Sequence, residues 1–232
     1  MRLKLLLLST LFGASLFAQA NAQSIIIEVE NLQPADGFYV TPVWFGFHDG
    51  NFDTFEMGTV ASAGLELLAE EGDPATLRSE FAAAAGTGVD GVIFGTNGFG
   101  SMMGQPPVLD PGEVAQALAD PNPASRFLNF ATMIIPSNDA FIGNNNPLAI
   151  EVFDAAGNFV GPQTFVFNGA SIYDSGTEVN DGQGAPFSTN GGTSSDEGGT
   201  VQFHAGLDNF LGTGTAAGTT INSIPGDKHS SV

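Results

Sequence analysis

The sequence predicts a mainly β domain, an antiparallel β-sandwich with two or three helices between its strands. Residues 25–31 (IIIEVEN) alternate apolar side chains with polar or acidic ones, as a half-buried strand does. Residues 127–135 (FLNFATMII) are apolar on both faces, which is typical of a central strand in a sandwich. Between these segments, apolar residues recur three and four positions apart, which indicates helices inserted in a β framework.

Further strands are predicted where short apolar runs lie between turn-forming residues. These runs span residues 39–47, 88–95, 148–153, 163–168 and 200–205. Pro42 has no backbone N–H to donate, so the first run is expected to be an edge strand or to contain a bulge. The turn residues 154–158 (DAAGN) predict that residues 148–153 and 163–168 pair as a hairpin.

Three helix starts are predicted between the strands. The first helix covers residues 60–71, where small and apolar residues fall on one face. The second begins at Asp73–Pro74, with Asp as the N-cap and Pro in the first turn. The third begins at residues 110–113 (DPGE), whose Asp and Glu resemble a capping box ahead of an apolar stripe.

Residues 1–22 have the three parts of a secretory signal peptide. Arg2 and Lys4 give a positive start, residues 5–17 are an apolar run, and Ala20 and Ala22 are the small residues before a cleavage site. We place the cut after Ala22, with Ala20 as the second choice. The alternative, a membrane anchor, needs about 20 apolar residues, more than this run offers. We therefore expect a secreted or periplasmic protein with a domain over residues 23–211 and a flexible tail over residues 212–232.

The charge balance limits the possible partners. The chain has 25 acidic and 5 basic residues, and the leader holds two of the basic ones. The processed chain would keep three basic against 25 acidic residues, a formal charge of −22. Nucleic acid and anionic membrane surfaces are therefore excluded as partners, because both require a basic patch. Self-repulsion of this size favours bound cations, and an apolar content of 42% indicates a folded chain rather than a disordered one.

Several common catalytic and binding motifs are absent. With no cysteine, the chain has no disulfide, thiolate metal site or cysteine nucleophile. His48, His204 and His229 show no zinc-ligand spacing, and we interpret His48 as a structural residue at a strand end rather than a general base. The glycine-rich residues 86–100 lack the lysine of a phosphate-binding loop, and no GxSxG motif is present.

Three carboxylates are the candidate site. Asp139 ends the segment 136–139 (PSND) after an apolar strand, and Asp174 and Glu178 lie in residues 173–178 (YDSGTE). Carboxylates on loops with glycine and serine suit Ca²⁺, which binds six to eight oxygens in flexible geometry. The alternative is that these are solvated turn residues.

Four segments, in this order, resemble the spondin N-terminal domain family of extracellular matrix proteins. They are residues 41–50 (TPVWFGFHDG), 61–70 (ASAGLELLAE), 126–139 (RFLNFATMIIPSND) and 173–178 (YDSGTE). The resemblance covers roughly residues 25–204 and implies a C2-like antiparallel β-sandwich with added helices. It also implies one Ca²⁺ ion held by Asp139, Asp174 and Glu178. The chain departs from the animal members in having Glu178 where they usually have Asp, in having Ala140–Phe141 where they have Trp, and in lacking cysteine.

Three classes of function follow. The leading hypothesis is an exported, calcium-binding, non-enzymatic module of adhesion type, which contacts a surface, matrix or polysaccharide partner and has no transmembrane segment after processing. The first alternative is an exported hydrolase that uses paired carboxylates. The second is a structural component of the cell envelope.

Overall fold

The computed structural model describes residues 1–8, 23–96, 107–185, 191–215 and 217–224. The predicted cleavage site at Ala20–Ala22 and part of the glycine-rich segment lie outside these residues. The described residues form two antiparallel β-sheets and two α-helices, so the predicted mainly β sandwich with a few helices is confirmed. No helix within the described ranges has both the length and the apolar character needed to cross a membrane.

The smaller sheet has four strands and includes the N-terminus of the chain. Its strands, in spatial order, are β6 (Val114–Ala119), β2 (Ser24–Glu30), β1 (Arg2–Leu8) and β9 (Gln163–Val166). β1 pairs with β2 along seven residues, from Arg2 opposite Glu30 to Leu8 opposite Ser24. Alternation in β2 is as predicted, because Ile25, Ile27 and Val29 are completely buried.

The larger sheet has seven strands and carries the residues of the candidate site. Six of them, in spatial order, are β11 (Gln202–Phe203), β10 (Ile172–Asp174), β8 (Ala140–Gly143), β7 (Phe127–Ile135), β4 (Val43–His48) and β5 (Val89–Ile93). The seventh, β3 (Tyr39–Val40), pairs with the end of β7. The predicted strand over residues 39–47 is thus divided at Thr41–Pro42, as the missing donor of Pro42 leads one to expect.

The two helices pack against each other and against the larger sheet. α1 (Ala63–Glu71) is capped by Ser62, whose Oγ accepts a hydrogen bond from the Leu65 N–H, and it ends at Gly72 in the left-handed conformation. α2 (Ala75–Ala84) follows directly. Both helices bury apolar side chains against the rest of the protein, since Leu65, Leu68, Leu77 and Phe81 are at most 1% exposed. Two short 3₁₀ helices span Gly169–Ser171 and Asp208–Phe210.

The main apolar core lies between the two sheets. The smaller sheet contributes the inward side chains of β1 and β2, and the larger sheet contributes residues of β4, β7 and β8. Phe45, Phe47 and Phe130 are among the large side chains from the larger sheet, and each is at most 3% exposed. A core of this kind stabilises the sandwich through apolar area removed from water, at roughly 25 cal/mol per Å².

The prediction of a third helix after residues 110–113 is wrong, because residues 114–119 form β6. Glu113 accepts a hydrogen bond from the Asp110 N–H, and Gly112 has a φ of +80°, so these residues form a tight turn into a strand. β6 then alternates, with Ala115 and Ala119 buried and Val114 and Leu118 exposed. Side chains alternate between the buried and exposed faces because these residues pair with β2 as a strand along six residues.

The predicted hairpin of residues 148–153 with 163–168 is also wrong. Residues 163–166 pair instead with β1, as β9. Residues 148–153 form only isolated bridges, from Glu151 to Phe127 and from Phe153 to Phe159. The sequence analysis assigned the residues of β1 to a signal peptide, so it did not consider β1 as the partner of β9.

The C-terminal segment that was expected to be a tail contains packed residues. Ile221 is completely buried, its N–H donates to the Thr213 carbonyl, and the Asn222 N–H donates to the Asp36 carbonyl. Residues 225–232 lie outside the described part of the chain.

Candidate metal site

Asp139 is held at the start of β8 by the turn that leaves β7. The Ser137 hydroxyl accepts a hydrogen bond from the Ala140 N–H at 3.1 Å and donates to the Ile134 carbonyl at 2.5 Å. These contacts close the turn and direct Asp139 into the protein, where its side chain has no exposed surface. An ordinary solvated turn residue would be exposed, so that alternative is wrong for Asp139.

Strand pairing places Asp174 next to Asp139. Asp174 is the last residue of β10 and lies opposite Ala140 of β8 in the antiparallel register. The residues that follow Asp174 and precede Ala140 therefore meet at the same end of the sheet. The Ser175 N–H accordingly donates to the Asp139 carbonyl at 3.3 Å.

The segment 175–178 wraps around the Asp139 carboxylate. Its Oδ2 atom accepts hydrogen bonds from the Ser175 hydroxyl at 3.0 Å and from the N–H groups of Thr177 and Glu178, both at 3.2 Å. Gly176 permits this path, because its φ is +71° and a Cβ there would lie 2.5 Å from the Thr200 nitrogen. The sequence Ser-Gly-Thr is thus a carboxylate-binding loop.

The second carboxylate oxygen of Asp139 is left without a partner. Oδ1 is buried and accepts no hydrogen bond from the described residues. Burial, and after it the nearby Asp174 carboxylate, raise the pKa of Asp139 to about 7, although the hydrogen bonds to Oδ2 act in the opposite direction. A buried acceptor of this kind is costly unless a donor or a cation satisfies it.

Asp174 is supported by residues that the sequence analysis did not include. Its Oδ1 accepts from the Gly176 N–H at 2.7 Å, and its Oδ2 accepts from the Asn180 side-chain amide. The Asn180 Oδ1 lies 3.2 Å from Nε2 of His204, whose Nδ1 accepts from the Gly206 N–H. No spacing rule indicates Asn180 or His204, since they meet only when β11 pairs with β10.

Glu178 joins the site mainly through its backbone. Its side chain is only 4% exposed, and its N–H donates to Asp139, but its charge also interacts with Glu70 of α1. Burial raises the pKa of Glu70, and the Glu178 carboxylate raises it further. Within the described ranges, no three His, Asp or Glu side chains are grouped as a metal cluster. The site therefore brings Asp139 and Asp174 together, with Glu178 attached by its N–H.

The arrangement suits a hard cation better than a soft one. The groups available are the carboxylate oxygens of Asp139 and Asp174 and the Ser175 hydroxyl, and Ca²⁺ prefers oxygen ligands of this kind. The buried, unpartnered Oδ1 of Asp139 would gain a counterion from such a cation. The residues present therefore fit a calcium ion in chemistry.

His48 has the environment of a structural residue, in agreement with our interpretation of the sequence. Its ring is completely buried, and its Nδ1 accepts from the Gly50 N–H at 3.1 Å. It packs near the rings of Phe52 and Phe127, and burial lowers its pKa. These contacts are the ones expected of a neutral histidine that closes a turn.

Comparisons with protein-family models and with curated proteins give no match for this chain.

Proposed function

We propose that this chain is an exported, calcium-binding, non-enzymatic module of adhesion or matrix-interaction type, related to the spondin N-terminal domains. The observation that carries the proposal is the buried Oδ1 of Asp139, which has no hydrogen-bond partner and lies beside the Asp174 carboxylate. Both residues are in the segments on which the resemblance rests.

Calcium would resolve an unfavourable local electrostatic arrangement. Asp139 and Asp174 repel each other when both are ionised, and a divalent cation would turn that repulsion into attraction. Asp139 and Asp174 would supply the anionic ligands, and the resemblance gives Glu178 as the third. Magnesium requires a tighter octahedral set of oxygens and keeps its waters, so we expect calcium to bind better.

The burial of Asp139 also weighs against the alternative of a hydrolase. A raised carboxyl pKa beside a second carboxylate is a feature of acid–base catalysts. A general acid must, however, lie within hydrogen-bonding distance of its substrate. Asp139 has no exposed surface, and its Oδ2 is already bound by three donors. This supports a structural and ion-binding role over catalysis.

Calorimetric titration of the exported protein with Ca²⁺ and with Mg²⁺ tests the site. We expect one calcium site with a dissociation constant of about 0.1–1 mM, the range of extracellular modules, and weaker binding of magnesium. Asp174→Ala should weaken calcium binding at least tenfold. The matched control Asp49→Ala removes one exposed carboxylate from the turn after β4 and should leave the affinity unchanged. Equal affinities for both ions, or equal effects of both variants, would contradict the proposal.

Export and partner binding need separate measurements. The intact mass of protein recovered from the periplasm or medium should correspond to a start at Gln23 or, for the second cleavage choice, Asn21. A pull-down from the native envelope, with and without calcium, should retain a surface or matrix component only when calcium is present. Hydrolysis of an ester, peptide or glycoside panel that Asp139→Asn abolishes would favour the hydrolase instead.

A further inference from the structure

Strand β1 lies in the interior of the smaller sheet. It pairs with β2 on one side along seven residues and with β9 on the other along four. Leu3 and Leu5 are completely buried in the core, and Met1 is only 6% exposed. The Met1 amino group donates to the Phe167 carbonyl at 2.9 Å. β1 is therefore an integral strand of the sheet.

The same residues belong to the predicted signal peptide. Cleavage after Ala22 would remove β1 and leave β2 and β9 on either side of an empty strand position. Because neighbouring strands lie about 4.8 Å apart, the two would be separated by roughly 10 Å. The facing edges of β2 and β9 would then present unpaired N–H and carbonyl groups, which can bind another strand. We call this position the β1 slot.

β9 has anchors that do not depend on β1. The Phe167 ring, just after β9, packs against Phe130 of the opposite sheet with 4.8 Å between ring centroids. The Gln163 side-chain amide donates to the Glu151 carbonyl at 2.7 Å. β2 and β9 also run parallel, since both are antiparallel to β1. These contacts anchor β9 independently of β1, which favours an open β1 slot after cleavage.

A cavity continues the β1 slot at the end where Met1 lies. It has a volume of about 210 Å³ and is lined mainly by apolar residues, among them Val166 of the smaller sheet and Ile134 and Ile172 of the larger one. Loss of Met1, Leu3 and Leu5 would join this cavity to the β1 slot. The inward face of the slot therefore suits apolar side chains at alternate positions.

The outward face of the slot suits basic side chains rather than apolar ones. Arg2 Nη1 is 2.8 Å from Glu30 Oε2, and the Lys4 ammonium forms an ion pair with Glu28. Removal of β1 would leave both glutamates without these partners, in a domain of formal charge −22. An occupant with basic residues between its apolar ones would restore both pairs.

We propose that the processed domain binds a β-strand from a different protein, rather than from a second copy of this chain, in the β1 slot, antiparallel to β2, with apolar residues inward and basic residues outward. The C-terminal end of this chain does not fit, because residues 225–232 (PGDKHSSV) lack that alternation. The proposal rests on export, which is part of the proposed function, and is independent of the calcium site.

The test uses processed protein recovered after export of the full chain, with its N-terminus established by intact mass. The probe is a synthetic peptide of residues 1–8 (MRLKLLLL), with a free amino group and a fluorophore at its C-terminus. We expect saturable binding by fluorescence anisotropy. A peptide with Leu3→Asp and Leu5→Asp should not bind, because its inward side chains would bring charges into the core.

A charge exchange tests the outward face. Arg2→Glu with Lys4→Glu in the peptide should lower its affinity at least tenfold. The double variant Glu28→Lys with Glu30→Lys in the domain should restore it. The matched control, Glu66→Lys with Glu71→Lys, makes the same charge change at exposed positions of α1 and should not restore binding. Restoration by both variants would show general attraction and overturn the proposal.

Three other outcomes would also overturn it. An exported protein that starts at Met1 keeps β1, so the slot never opens. A processed monomer that does not bind the peptide has closed the slot. A processed protein that is dimeric without peptide, and releases its partner copy when peptide is added, has a second copy as the occupant. Calcium titration of the same sample reports on the metal site separately, so failure of one proposal is distinguishable from failure of the other.

Discussion

The smaller sheet buries apolar side chains, whereas the Asp139 site buries carboxyl groups. In β1 and β2, aliphatic side chains such as Leu5 and Ile27 fill the core, while charged residues point outward and pair. Where β8 begins and β10 ends, the carboxyl side chains of Asp139 and Glu178 are buried, and a loop of hydroxyl and N–H donors surrounds Asp139. The side chains that β1 and β2 remove from water are apolar, so their burial is favourable. The Asp139 site instead buries a carboxylate, one oxygen of which has no hydrogen-bond partner among the described residues.

The difference separates a region that stabilises the fold from one whose stability depends on protons or a bound cation. Apolar burial stabilises the fold whatever the solution contains. A buried carboxylate contributes favourably only when it is protonated or neutralised by a cation. The two regions should therefore respond differently to mutation, to pH and to calcium.

The largest effect is expected from truncation of the core of the smaller sheet. Ile27→Ala removes a completely buried side chain of β2 and should lower the free energy of unfolding by about 2–5 kcal/mol. Calcium should not change this loss. Leu118→Ala on the adjacent β6, where the side chain is 57% exposed, should cost less than about 0.5 kcal/mol. Urea denaturation of both variants of the full-length chain, which keeps β1 paired with β2, is compared with calcium and with chelator, and equal losses would place Ile27 outside the core.

A smaller effect, with a pH dependence, is expected at Asp139. Its pKa is about 7 in the folded protein and 3.8 in the unfolded chain, so the folded state holds a proton that the unfolded state loses. The stability from that proton is complete below about pH 4 and is lost as the pH rises to about 7. Without calcium, Asp139→Asn should therefore be more stable than the original protein at pH 8, by roughly 2–4 kcal/mol.

The same comparison at pH 4.5 should show a smaller difference between Asp139→Asn and the original protein, about 1 kcal/mol, because only the unfolded carboxyl is ionised there to a large extent. Denaturation in chelator across pH 4.5–8 measures both values. If the stability of the original protein rises over this range relative to the variant, the pKa of Asp139 is lowered rather than raised, and the electrostatic account of the site is wrong.

The pattern of apolar residues was sufficient to predict the strands that are buried on one face or on both. The alternation of Ile25, Ile27 and Val29 and the apolar run over residues 127–135 correspond to β2 and β7. Residues 110–119 misled the prediction because Asp110 and Glu113 also suit a helix start. Residues 114–119 form a strand rather than a helix because they pair with β2, which is far away in the sequence. Local sequence patterns do not indicate such a pairing.

The candidate site was predictable only in part. The carboxylates Asp139 and Asp174 were identified from their motifs, and strand register does bring them together. The interaction of Glu178 with Glu70, and that of Asn180 with His204, depend on how α1 and β11 pack on the sheet. These contacts join residues far apart in sequence or lie in loops without a period, so sequence patterns do not report them.

The most direct test of the calcium claim is the thermal shift of the exported protein with 2 mM Ca²⁺ and with 2 mM Mg²⁺. For a dissociation constant of ~0.1 mM, mass action adds roughly 1.8 kcal/mol and raises the melting temperature by about 4–7 °C. We predict that calcium gives this shift, that magnesium gives less, and that Asp174→Ala removes the calcium-specific part while Asp49→Ala retains it. Equal shifts with the two ions, or an undiminished calcium shift in Asp174→Ala, would contradict a calcium site at Asp139 and Asp174.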